Sequence, residues 1–177
     1  MRKTLGSSLS ILLTLGLFFS QTSFALEGGS DQIPDCPDLD GSALPVVNNY
    51  VLQWKQTKPN QYRHRARVRG YLTRLFPDHN GHHHFEIQIG ANPTDTLEVI
   101  YNEDFGPLPT LQKDTKVEAC GDFIVSTAPA GGFPRSPDDA IIHWVHTNPS
   151  GKGHPPGYLV IDGTLCGQDG ENAPARP

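Results

Sequence analysis

From Arg65 onward, apolar side chains recur at every second position in short runs broken by Gly and Pro, and that period predicts β-strands. Arg65–Arg74 (RARVRGYLTR) sets Ala66, Val68, Gly70 and Leu72 on one face and Arg65, Arg67, Arg69 and Tyr71 on the other. Pro77–Gly81 reads as a turn, after which His84–Ile89 resumes the alternation with Phe85, Ile87 and Ile89 apolar, so the two runs form a hairpin. Further strands are predicted at Thr96–Tyr101, Lys116–Ser126, Ala140–Thr147 and Tyr158–Leu165. Ahead of them, Val47, Tyr50, Val51 and Trp54 stand at near-helical spacing and predict a short helix over Val46–Lys55. Short strands with no helical period between them predict an all-β fold, a small antiparallel barrel of five or six strands, OB-like, with a short N-terminal helix. Gly70 and Gly121 inside strands suit the bends that closure needs.

The flanks are different in kind. Residues 1–25 carry Arg2 and Lys3, then the apolar run Ile11–Ser20, then small residues ending at Ala25, the order of a cleavable secretion signal. The apolar run is shorter than the ~20 residues that span a bilayer, so no transmembrane anchor is expected. Residues 26–45, rich in Gly, Asp, Pro and Ser, read as an irregular leader, 46–166 as a single barrel domain, and 167–177 as a flexible tail. Loss of Arg2 and Lys3 takes the formal charge from −5 to −7, which disfavours non-specific nucleic-acid binding. Export places Cys36, Cys120 and Cys166 in an oxidising compartment, periplasmic or extracellular, where one disulfide and one remaining thiol are expected. Three pairings are open; Cys36 with Cys166 would tie the two ends together and leave Cys120 as a buried thiol.

Histidine is the residue type whose distribution carries information. His79, His82, His83 and His84 crowd the first hairpin, while His143, His146 and His154 crowd the fifth strand and the loop after it. Imidazole is a common ligand of zinc and copper, and His84, His143, His146 and His154 are the candidate metal ligands. On a regular strand His143 and His146 would face opposite ways, so a shared ion requires a bulge or an early strand end, which Asn148-Pro149 makes plausible. Acid–base candidates are Glu86, Glu98, Glu103, Asp104, Asp122 and Asp162, with Glu86 and Glu103 foremost; Glu86 would share a face with His84 beside Arg65, Arg67 and Arg69 if those arginines lie on the neighbouring strand. No Ser-His-Asp order, nucleophile elbow, P-loop or dinucleotide fingerprint occurs.

Val68–Asp78, Gly81–Ile87 (GHHHFEI), Ile141–Pro149 and His154–Tyr158 together resemble the secreted bacterial family catalogued as domain of unknown function 3465, over roughly residues 65–166. The most specific part is His143, Trp144, His146, Asn148, Pro149, His154, Gly157 and Tyr158; Asn148 departs from the acid that the pattern would place there. The resemblance implies a secreted β-rich domain and supplies no catalytic residues. The leading expectation is therefore a ligand-binding module in which Trp144 and Tyr158 stack on an oligosaccharide or nucleotide at one barrel mouth, with His143, His146 and His154 as polar contacts and Arg67, Arg69 and Asn148 as further candidate ligand-binding residues. The alternatives are a metal-dependent hydrolase of phosphodiesterase or nuclease type, and a structural or interaction protein of the envelope.

Overall fold

The computed structural model describes residues 32–169, so the secretion signal read over residues 1–25 and the end of the tail lie outside the described residues. The chain runs α1 (Asn48–Thr57), β1 (Arg63–Leu75), β2 (His82–Gln88), β3 (Thr96–Asn102), a 3₁₀ turn (Glu103–Phe105), β4 (Lys116–Val125), β5 (Ala140–His143), β6 (Tyr158–Ile161) and β7 (Thr164–Cys166). The predicted helix lies two residues later than its pattern, and ends where Lys58 turns extended before Pro59. The sixth predicted strand is two strands, because Asp162 and Gly163 both take positive φ in a two-residue hairpin turn.

Five strands close on themselves in the order β1-β2-β3-β5-β4, with β4 returning to β1, and the β6–β7 hairpin extends from β4. All pairings are antiparallel except β3–β5, where Glu98 and Val99 run parallel to Ile141 and Ile142. That cyclic order is the OB-type barrel, and a small all-β barrel is what the alternation predicted. Closure depends on β1, whose residues 63–71 pair with β4 while 71–75 pair with β2. Gly70 sits at that change of partner, where a Cβ would collide with the Gln88 carbonyl.

Inward residues form one core, including Ala66, Val68, Leu72, Phe85, Ile87, Leu97, Val99, Phe123, Ile142 and Leu159. Helix α1 closes one end, with Val51 buried and Trp54 packed on Phe123 at 5.8 Å between ring centroids. A second, smaller cluster of Cys36, Cys120, Tyr158 and Val160 lies on the outer face of β4 and β6, beneath the leader.

Strand parity decides the cysteine chemistry. Ala119 faces the core, so Cys120 faces outward, where the leader brings Cys36 to it, and these two form the disulfide. The pairing of Cys36 with Cys166 is thus corrected: Cys166 packs in the main core and keeps its thiol, directed at the Thr164 carbonyl. No helix among the described residues is long and apolar enough to cross a membrane.

Candidate functional site: a histidine cluster beside a buried carboxylate

Strand β5 ends at His143, earlier than its sequence pattern, and Trp144 adopts φ +53°. A left-handed conformation is rare for a bulky residue and is held only where the surroundings enforce it. It breaks the alternation, so that His143 and His146 are no longer fixed on opposite faces. Gly157 packs against this corner; a Cβ there would meet the Trp144 and Cys120 carbonyls, and its N–H donates to the His146 carbonyl at 2.6 Å.

The two histidine groups meet here. The His82 ring stands 5.6 Å from His143 and 6.5 Å from His84 between centroids, and His146 stands 5.4 Å from His154, edge to face. His143 occupies the middle: burial first, and then the nearby His82, His146, His154 and His84, push its pKa down to about 3. Burial likewise pushes His146 down to about 4. Both rings are therefore neutral at ordinary pH, the form that carries a donor lone pair.

Four of the five rings are oriented by the same device. Nδ1–H of His82 donates to the Asn80 carbonyl at 2.9 Å, that of His146 to Thr147 at 2.6 Å, and that of His154 to Pro155 at 2.8 Å. Nδ1–H of His84 donates to Glu98 Oε1 at 2.8 Å. A carbonyl or carboxylate oxygen accepts only, so Nδ1 carries a proton and, in the neutral ring, Nε2 is the nitrogen with the lone pair. His146 is further locked by stacking on Phe105 at 3.7 Å. The arrangement is open: among the described residues no three of these rings bring nitrogens within 4.8 Å of one another. Sharing an ion at about 2.0–2.1 Å per nitrogen requires side-chain rotation.

Asn148 organises the loop that carries His154. Its amide donates to the carbonyls of Lys152 at 3.0 Å and His154 at 2.5 Å and accepts from Ser150 Oγ at 2.7 Å. Two carbonyl acceptors need an N–H donor, which accounts for an amide rather than an acid at this position.

The remaining candidates are placed elsewhere. Tyr158 is buried and donates to Glu118 Oε1 at 2.8 Å, so it offers no stacking face. Trp144 is stacked on by His143 at 4.6 Å and His154 at 5.4 Å, with the Arg63 guanidinium 4.3 Å above it. Arg67 and Arg69 both grip Glu118, at 2.6 and 2.5 Å, because this half of β1 pairs with β4 and not with β2. The arginine–Glu86–His84 surface does not form; Glu86 instead accepts from Thr73 and Arg74 at 2.6 and 2.7 Å. Glu103 lies 3.8 Å from His83, which with Asp78 makes a separate exposed group.

Three residues visible in the sequence take roles that only the structure places. His82 shares strand parity with His84 and so joins its face, a signal that was present. Arg65 is buried, bonding the Pro37 carbonyl, Asp122 and Pro156, and thereby tying the leader to the histidine loop. Glu98 needed the β2–β3 register, which pairs it with Glu86 one step from His84. No family model matches this chain, nor does any curated protein or solved structure.

Proposed function

We propose that this chain is an exported β-barrel that binds a late first-row transition-metal ion, zinc or copper, in the cluster of His82, His84, His143, His146 and His154. The observation that carries the reading is that five imidazoles from β2, the end of β5 and the following loop converge. Four of them have Nδ1–H held by protein oxygens, which leaves Nε2 as the ligating nitrogen of the neutral ring. Export rests on the N-terminal pattern, and the Cys36–Cys120 disulfide is compatible with it. The likeness to the secreted family of unknown function is carried as part of the same proposal. A stacking site for a sugar or nucleotide draws less support, since Tyr158 is buried and the half-buried Trp144 already carries His143 and His154 on its ring. A hydrolase draws less as well, because Glu86 is engaged by Thr73 and Arg74 and Glu103 stands with His83.

The test is metal content and calorimetric titration of the purified protein with Zn(II) and Cu(II). One equivalent bound in the wild type, and loss of at least about 100-fold in affinity in His143→Ala with unchanged circular dichroism, is the expected result. No uptake of either ion would overturn the reading and leave the cluster as a stabilised loop.

A further inference from the structure

Glu98 and Ser136 form a relay behind one imidazole of the cluster. Glu98 lies on β3 with 5% exposure, and its two oxygens are fully assigned. Oε1 accepts from His84 Nδ1–H at 2.8 Å, and Oε2 accepts from Ser136 Oγ at 2.5 Å. Ser136, 4% exposed, belongs to the segment 126–139 that joins β4 to β5. Its own position is fixed by N–H donation to the Ser126 carbonyl at 3.0 Å and by the Asp138 N–H, which donates to its hydroxyl at 3.1 Å.

From this geometry we infer that Glu98 is a positioning residue for a metal ion held by His84, acting through the imidazole and never touching the ion; the inference rests on the metal-binding reading above. An isolated neutral imidazole divides its proton between two nitrogens and rotates, whereas a carboxylate on Nδ1–H selects one tautomer, fixes the ring plane and strengthens the donor power of Nε2. Of the four anchored rings, His84 alone is backed by an anion; the other three are backed by neutral carbonyls. His84 is thus the ligand that this fold prepares most completely. Burying a carboxylate is costly unless its oxygens are bonded, and both are. Nothing in the barrel's closure needs a charge at this position, since the inward neighbours Leu97 and Val99 carry the packing.

Glu98→Gln keeps size and shape, and its amide still accepts from His84 while donating to Ser136. Only the charge is lost. The expected result is a Zn(II) or Cu(II) dissociation constant raised about 10- to 100-fold, the range found when such supporting partners are removed. The melting temperature of the metal-free protein should stay within a few degrees of the wild type. In nitrogen-15 NMR of the metal-free wild type, His84 should carry its proton on Nδ1 alone. Ser136→Ala, which leaves the charge in place, should weaken binding less than E98Q and provides the reading should E98Q fold poorly. Equal affinity of wild type and E98Q, or a His84 ring protonated on Nε2, overturns the role of Glu98 while leaving the metal site standing. Failure of the wild type to bind either ion overturns both.

Discussion

Asp138 is the buried acid whose replacement should stabilise the barrel, and only above a definable pH. It is 5% exposed, with Oδ1 accepting from Thr96 Oγ1 at 2.7 Å and Oδ2 left with no hydrogen bond as a carboxylate. A proton on Oδ2 resolves the orphan, because the Glu86 carboxylate is at hand to accept it. Burial first, and then Glu86, push the Asp138 pKa from the ordinary 3.8 up to about 6, against smaller opposing effects of Thr96 and Lys55. Between those two values the folded state binds more protons than the unfolded one, so stability falls as pH rises from about 4 to about 6 and stays reduced above it. At about 1.4 kcal/mol per pKa unit the loss is of the order of 3 kcal/mol. Asp138→Asn keeps the acceptor for Thr96 and supplies an N–H for Glu86. It should therefore raise the melting temperature by roughly 10 °C at pH 8, taking about 3 °C per kcal/mol for a domain of this size, and by almost nothing at pH 4. Thermal melts followed by circular dichroism at the two pH values measure it, the difference between variants cancelling all other titrations. An equal shift at both pH values, or none at either, refutes the shared proton.

Arg65→Met removes a fully buried guanidinium that holds Asp122 and the carbonyls of Pro37 and Pro156, leaving Asp122 with only the half-exposed Arg63. Urea denaturation should show a loss of about 3–5 kcal/mol, as expected for one partner of a buried pair; a loss under 1 kcal/mol would mean that the hub is ornamental. The Cys36–Cys120 bond closes a loop of 84 residues in sequence separation, so the double serine variant should lose about 4.5 kcal/mol on the chain-entropy account. Peptide mapping without reduction should recover Cys36 joined to Cys120, and a Cys36–Cys166 peptide would contradict the fold described.

The barrel was readable because its information is local and has period two. β1 and β2 bury the apolar residues that their alternation marked, Ala66, Val68 and Leu72 on the first and Phe85 and Ile87 on the second. What alternation lacks is the identity of the neighbouring strand. Arg65, Arg67 and Arg69 were correctly placed on one face, yet their partners Asp122 and Glu118 come from β4, about fifty residues away in the chain. A hairpin suggests β2 as the neighbour, and β1 is long enough to serve both: Gly70 lets it leave one partner for the other. The disulfide was misjudged for the same reason, since parity marks Cys120 as outward from the core but cannot say that the leader covers it.

The candidate site was half legible, and the division follows the same physics. That the histidines of the first hairpin and the fifth strand should meet was inferable from barrel closure, and His82 and His143 stand 5.6 Å apart. That a strand break was required between His143 and His146 followed from side-chain alternation; that the break falls at Trp144, in a left-handed conformation few bulky residues accept, did not. Such a backbone is stabilised by the whole corner around it: Arg63 and two histidines on the indole, Gly157 beneath, Asn148 pinning the loop. Conformations that are locally unfavourable are invisible to local rules by construction, and here the exception coincides with the residues of greatest chemical capacity.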